Sequence, residues 1–500
     1  MNELAYLKSG TDIRGTAVSV NGAPVDLTDE RVAAITVSFV CFLRKKLGKE
    51  SLSVAVGYDS RVSSPRIASA VEKTLAANGV KVYSCGLSTT PSMFMSIINF
   101  GVDASVEITA SHLPYEMNGL KYFTREGGFS GGEIAEILEY ASLNPCTVPD
   151  VAADFEKLDN MARYCADLRN MIIDGADRGE KPLAGLKIAV DAGNGVGGFY
   201  ANNVLAPLGA DVSGSCFLEP DGTFPNHIPN PENADAMRAV SGAVVASKSD
   251  LGIIFDTDCD RAACVGKSGE EINRNKLVAL ASFIALKNCA GGTVVTDSVT
   301  SDGLAEFITE KLGGVHHRFK RGYKNVIDEA KRLSGEGTAA PLAIETSGHA
   351  AFAENYYLDD GAYLVTKIII EAAKLAADGK TIEDIISDLK TPVEEKEIRY
   401  KILVDDFAQY GNGVIADFEK HCRECEQASV SPVNHEGIRV NFGKDFGDGW
   451  ILLRRSLHEP LLVMNAESNT AGGVHTMLLW FKDFVAEYGK LDISKLEAAL

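Results

Sequence analysis

At 500 residues the chain exceeds what one hydrophobic core supports, and length alone predicts about three or four domains. Its 45% hydrophobic and 24% charged residues exclude a disordered chain. A net charge of −20 argues against nucleic acid or an anionic membrane as the main partner, since both need a positive footprint.

From the N-terminus, Met1-Asn2-Glu3-Leu4 lacks the basic start and apolar core of a signal peptide. The apolar stretch Ile35 to Leu43 is interrupted by Thr36 and Ser38 and reads as a buried helix face, well short of the roughly 20 residues of a membrane span. Ser53 to Gly57 reads as a strand, Pro65 to Asn78 as a helix and Lys81 to Ser84 as a strand, which is βαβ order with parallel pairing. Similar cycles restart at Leu186–Val190, Thr293–Thr296 and Leu342–Ile344, without a clean internal repeat. The polar segment from about Asn144 to Glu180 reads as a helical connector. After Thr391-Pro392 the character changes: Glu394 to Val404, Gly437 to Phe442 and Trp450 to Arg454 predict antiparallel strands of a smaller domain beginning near 393. The expected architecture is three tandem α/β domains with mixed or parallel sheets plus a smaller C-terminal α+β domain around a central cleft. The expected domains are 1–150, 151–275, 276–392 and 393–500. Ten cysteines follow no disulfide or zinc spacing, and Cys422-x-x-Cys425 has no second pair, so reduced thiols in a cytoplasmic protein are expected.

Four segments carry chemistry. Thr109-Ala110-Ser111-His112-Leu113-Pro114 places a serine nucleophile before Asn118-Gly119-Leu120-Lys121, and a serine needs a base, a metal or a charge relay to act. Asp256-Thr257-Asp258-Cys259-Asp260-Arg261 follows the buried strand Leu251–Phe255, at the strand end where open α/β sheets bind ligands. Extended, Asp256 and Asp260 would stand about 13 Å apart, so a single magnesium ion requires this segment to curl into a loop. Glu345-Thr346-Ser347-Gly348-His349 offers a carboxylate and a hydroxyl for vicinal sugar hydroxyls and an imidazole for a proton. Arg454-Arg455-Ser456 suits a phosphate clamp, with the duplicated arginine leaving open which one serves. An anionic substrate on an acidic protein demands a local cationic site, for which Arg14, Lys121, Arg261, Lys320, Arg321, Lys324, Arg454 and Arg455 are candidates. Gly193-Asn194-Gly195-Val196-Gly197-Gly198 satisfies a dinucleotide fingerprint, but Asp211 falls before the second strand and nothing else suggests hydride chemistry; a tight strand-to-helix turn is the better reading.

Together with Thr11-Asp12-Ile13-Arg14-Gly15, Gly57-Tyr58-Asp59-Ser60-Arg61, Thr90-Pro91 and Pro220-Asp221-Gly222-Thr223-Phe224-Pro225 leading to Pro229-Asn230-Pro231-Glu232, these segments resemble the α-D-phosphohexomutase superfamily, most closely its phosphomannomutase/phosphoglucomutase branch. The resemblance implies four domains and the interconversion of hexose 1-phosphate and 6-phosphate (glucose or mannose) through a phosphoserine and a 1,6-bisphosphate. It implies that Ser111 carries the phosphoryl group and that Asp256, Asp258 and Asp260, with an oxygen of phosphorylated Ser111, hold Mg2+. Lys121, Arg14 and His349 match groups for proton transfer or transition-state stabilisation. Arg261, Glu345 and Ser347 match sugar-phosphate contacts, and Arg454 and Ser456 the clamp on the non-reacting phosphate. A 1,6-bisphosphorylated hexose is the implied activator, a small-molecule sugar phosphate the implied partner, and a monomer or homodimer the expected state. Three departures stand out: Leu113 replaces an asparagine, Asn275 an aspartate, and Leu457-His458 an Asn-Thr pair, with His458 adding a cationic substrate contact. Two other functions remain open, an amino-sugar phosphate mutase (glucosamine or N-acetylglucosamine) and a non-catalytic sugar-phosphate-binding relative.

Overall fold

A computed structural model describes residues 3–152, 154–456 and 459–500. They group into two compact units, Met1–Ile284 with Ser347–Ile385, and Ala285–Thr346 with Ile386–Leu500.

In the first unit, strands Ser53–Tyr58, Lys81–Leu87 and Ala104–Ile108 run parallel, as the alternation of strand and helix signals requires. Met117–Thr124 joins antiparallel beside Ala104–Ile108, and Asp12–Thr16 pairs antiparallel with it in turn, so the sheet is mixed. Helices Asp29–Leu47, Ser64–Ala77 and Gly131–Leu143 bury apolar faces against it; Ile35, Phe39, Val40 and Leu43 of the first are fully enclosed. Gly119 is required where these strands meet, because a Cβ there would lie 2.4 Å from the Ile13 carbonyl oxygen.

A second sheet sets Ile188–Asp191 parallel to Leu251–Phe255 and Ala262–Gly266 antiparallel to it. That hairpin closes residues 256–261 into the loop a shared cation demands. The glycine-rich stretch after Asp191 is a turn leading into a short helical segment, Tyr200–Leu205, as expected. The helical connector is shorter than expected. Helix occupies Asn160–Ala176, whereas 144–152 and 154–159 hold no helix and only the two-residue strand Glu156–Lys157, because Pro145 and Pro149 deny helix to that stretch. Helix Gly361–Ala376 packs on Asn160–Ala176, with the Tyr164 hydroxyl donating to Asp360 at 2.6 Å.

In the second unit, Val315–Arg318, Thr293–Thr296 and Leu342–Ile344 are parallel. The C-terminal portion is an antiparallel sheet in the order Ala428–Val430, Ile438–Phe442, Gly449–Arg455, Leu461–Ser468, Glu394–Ile402, Leu491–Asp492. Helices Phe407–Glu424 and Gly473–Val485 pack on it around Phe418, Phe481 and Met464. The architecture is thus three tandem α/β domains followed by a sheet-rich fourth. No disulfide joins any of the ten cysteines, and no helix among the described residues is long and apolar enough to cross a membrane.

Candidate active site

Ser111 follows the strand Ala104–Ile108 and adopts φ of +52°, a left-handed conformation costly for a residue with a Cβ. Its hydroxyl donates to Asp256 Oδ2 at 3.1 Å and accepts from Arg261 Nη2 at 3.2 Å. The serine is 3% exposed, so its nucleophile meets little water in this state.

Arg61 supplies the scaffold. Its fully buried guanidinium donates to the carbonyls of Ser111 (2.5 Å), Leu113 (2.6 Å), Pro114 (2.7 Å) and Met117 (3.0 Å), and its Nε pairs with Asp59 at 3.2 Å. One planar fork thereby holds four carbonyls of the serine loop, a task a point-charge ammonium could not perform. Phe224 lies 5.2 Å from the Arg61 Cζ, and Gly222 packs so closely that a Cβ would fall 2.3 Å from Ser60 O and 2.4 Å from Val62 N.

Asp256, Asp258 and Asp260 are all buried, and one oxygen of each lies within 4.8 Å of the others. Burial first, then the charges of Asp260 and Asp258, push the Asp256 carboxyl well above the usual range against the pull of Arg261 and Lys121. Burial also works against ionised Asp260, but Lys121, His349 and Arg261 outweigh it and hold that carboxyl well below the usual range. Lys121 Nζ reaches Asp258 at 2.9 Å and Asp260 at 2.5 Å, and the Thr90 hydroxyl donates to Asp258 at 2.5 Å. Even so, Asp258 Oδ1 and Asp260 Oδ1 are buried without hydrogen-bond partners. A site of hard oxygen donors with excess negative charge and unused lone pairs fits a divalent cation such as magnesium.

Cations and histidines complete this cluster. Arg261 bonds Asp256 at 3.1 Å and His112 Nδ1 at 2.5 Å. Burial and the charges of Arg261 and Arg14 push the His112 pKa down to about 2, so its ring is neutral and its Nδ1 accepts. His349 Nδ1 meets Asp359 at 2.5 Å and lies 3.9 Å from Asp260. Burial alone would lower its pKa, but Asp359 and Asp260 raise it to about 9. Arg14, paired with Asp12 at 2.8 Å, lies opposite Gly119 in the sheet. Ser347, 7% exposed, sits two residues before His349.

The second unit holds a separate group. Glu345 accepts from the Gly322 amide at 2.6 Å. Arg454, one residue before the end of its strand, is 8% exposed and 3.6 Å from Glu436. Arg455 points the other way, bonding Asn412 at 3.2 Å. The Ser456 hydroxyl accepts from the Glu459 amide at 3.2 Å, and Arg321 approaches Asp297 at 3.9 Å. Lys324 is engaged by Asp328, and Lys320 lies 5.8 Å from the centre of the Phe319 ring. Leu457 and His458, and with them the expected cationic contact, lie outside the described residues.

Sequence reasoning quotes the segments of Arg61 and His112 without giving either a role, and it does not single out Asp359 or Glu436. Asp359-Asp360 after a strand-like Leu358 was a usable signal for the histidine's partner; the others leave none.

Residues 8–143 match the family described as phosphoglucomutase/phosphomannomutase, alpha/beta/alpha domain I, residues 162–269 match its domain II and residues 273–392 its domain III. A phosphoglucomutase of Neisseria meningitidis serogroup A is 27% identical over 439 residues, 88% of this chain and 89% of that protein. A phosphomannomutase/phosphoglucomutase of Pseudomonas aeruginosa is 27% identical over 442 residues, 87% of this chain and 89% of its own. Among solved structures, a phosphoglucomutase/phosphomannomutase family protein from Burkholderia thailandensis superposes with a TM-score of 0.80 at 25% identity, covering 98% of this chain and 99% of its own.

Proposed function

The chain belongs to the phosphoglucomutase/phosphomannomutase family, and from that premise we propose that it interconverts the 1- and 6-phosphates of glucose or mannose, with Ser111 as the phosphoryl carrier. The observation that carries the reading is the Ser111 hydroxyl 3.1 Å from Asp256 and 3.2 Å from Arg261, at the edge of the buried aspartate cluster.

In the first transfer the bond from phosphorus to Ser111 Oγ breaks as a bond forms to the free hydroxyl of the hexose monophosphate. That hydroxyl's proton passes to a protein base, and the product is a 1,6-bisphosphate. The bisphosphate turns end for end, its other phosphoryl group returns to Ser111, and the proton goes back to the oxygen left behind. Asp256, Asp258 and Asp260 would hold magnesium, which supplies charge neutralisation at the moving phosphoryl group when bound. Arg261 and Lys121 add fixed positive charge there, which costs no reorganisation at the moment of reaction. His349 is held protonated by two carboxylates. Engaging Asp260 elsewhere removes one of them and moves the imidazole toward neutrality, where it can exchange a proton with the sugar. Glu345 and Ser347 would read the ring hydroxyls in either orientation, and Arg454 with Ser456 would grip the phosphate that is not reacting. The division at residues 150, 275 and 392 gives each proposed domain one of these segments.

The test is turnover on glucose, mannose, glucosamine and N-acetylglucosamine 1-phosphates, with magnesium and a trace of the matching 1,6-bisphosphate, in wild type and Ser111→Ala. Conversion of glucose or mannose 1-phosphate, abolished in S111A, is expected. Activity confined to an amino sugar would overturn the substrate assignment, and silence on all four with sugar phosphate still bound would overturn the reaction.

A further inference from the structure

Within the unit of 285–346 and 386–500, the arginine proposed to grip the distal phosphate already has an anion beside it. Glu436 Oε1 lies 3.6 Å from Arg454 Nη1, too far for a good hydrogen bond. Arg454 Nε is buried without a partner. The other carboxylate oxygen is fully committed: Glu436 Oε2 accepts from Ser298 Oγ at 2.7 Å and from the Arg321 amide at 3.0 Å. Arg321 Nε in turn lies 3.9 Å from Asp297 Oδ2. Two guanidiniums thus face the carboxylates of Glu436 and Asp297, with Glu397 also acting on both, and the clamp carries compensating negative charge before any phosphate arrives.

This arrangement holds Glu436 firmly and Arg454 loosely. A carboxylate meant to aim the arginine would bond it, preferably through two oxygens; here the bonds fix the carboxylate, and the guanidinium keeps donors to spare. A phosphate dianion approaching Arg454 therefore gains its attraction and meets the repulsion of Glu436 at nearly the same distance, in a half-dry setting where both are strong.

We propose that Glu436 is an internal counter-anion that weakens the clamp, so that the bisphosphate can leave it and turn. The inference rests on the mutase reading, in which the same phosphate must be gripped during transfer and released between transfers. A clamp of unopposed arginines would bind the intermediate more tightly than the transition state and slow turnover. Glu436 sets the affinity of the clamp here, with no role in bond making.

The experiment uses the full-length chain and inorganic phosphate as the probe. Glu436→Gln keeps an acceptor for Ser298 and the Arg321 amide and removes only the charge. Calorimetry on wild type, E436Q, R454A and the double variant should show phosphate binding about tenfold tighter in E436Q, with the gain absent in the R454A background. In turnover, E436Q should lower KM and kcat together. Unchanged or weaker phosphate binding in E436Q, or a gain that survives R454A, overturns the proposal. Glu436→Asp, which keeps the charge, should bind phosphate like wild type; tightening there would also overturn it. Because phosphate binding is read without catalysis, a wild-type protein that shows the predicted binding but turns over no hexose phosphate would sink the mutase reading and leave the counter-anion assignment standing.

Discussion

Arg61 donates through Nη2 to the carbonyl oxygen of Ser111 at 2.5 Å, and Ser111 is the residue whose backbone stands at φ +52°. The buried fork fastens the carbonyl of this left-handed residue, so an arginine fifty positions earlier in the chain helps to hold the serine's strained backbone.

Replacing Arg61 with lysine keeps the charge and loses the fork. Three ammonium donors cannot serve the four carbonyls and Asp59, so at least two of these five acceptors lose their bond, which should cost about 2 kcal/mol or more of stability. A displaced serine hydroxyl should lower kcat by roughly 100-fold with KM for the sugar phosphate little changed. Denaturant melting together with steady-state kinetics checks both halves; a variant that is destabilised yet fully active per folded molecule contradicts the positioning role.

The aspartate cluster makes stability and metal binding oppose each other. Asp256→Asn removes one of three crowded carboxylates, so the metal-free variant should melt at or above the wild-type temperature. Magnesium should raise the wild-type melting temperature by several degrees and leave D256N nearly unmoved. Thermal scans with magnesium and with chelator decide it.

Glu107 is fully buried opposite Lys121, and neither of its carboxylate oxygens has a hydrogen-bond partner. Burial, then the charges of Asp59 and Asp258, raise its carboxyl well above the usual range. Glu107→Met should therefore stabilise the fold by about 1–2 kcal/mol and retain activity. A stable but inactive E107M would instead place this carboxyl in the catalytic machinery.

Glu467 accepts from the Trp450 indole at 2.8 Å, and Arg439 stacks 3.6 Å from the centre of that ring. Burial raises the Glu467 pKa to about 7 against the pull of Arg439. A carboxyl with a raised folded pKa keeps its proton in the native state after the unfolded chain has lost it. Its contribution to stability is thus present below about pH 4.5 and is lost as pH rises toward 7, by about 3 kcal/mol at most. Glu467→Gln should flatten that slope. Trp450 fluorescence should titrate near pH 7 in wild type and not in E467Q.

Local signals in the chain reached the fold well and the site unevenly. Thr293–Thr296 and Leu342–Ile344 are strands at the positions their apolar β-branched runs indicate, and the aspartates curl between two paired strands as a shared cation requires. Pro145 and Pro149 carried enough information to stop a helix, but the polar composition around them pointed the other way. Arg61 stands in a segment that carries the family resemblance, but its task could not be read there, because its partners are mostly backbone carbonyls, which every residue has. Asp359 is brought to His349 by the pairing of Ala350–Phe352 with Leu358–Asp359; the strand-like Leu358 signals a carboxylate at a strand end but not the register that delivers it. Glu436 stands in a turn before a strand, where a glutamate reads as an ordinary solvated charge.

Gly222 carries no functional group, yet a methyl there would meet the backbone on both sides of Arg61. A residue of the second α/β domain thus sits under the scaffold of a serine carried by the first. The cost of drift at position 222 would be felt as a slower reaction at a place that residue never touches. Any side chain at 222 would have to displace the backbone of residues 60–62, so a single hydrogen atom serves as a fixed spacer between two domains.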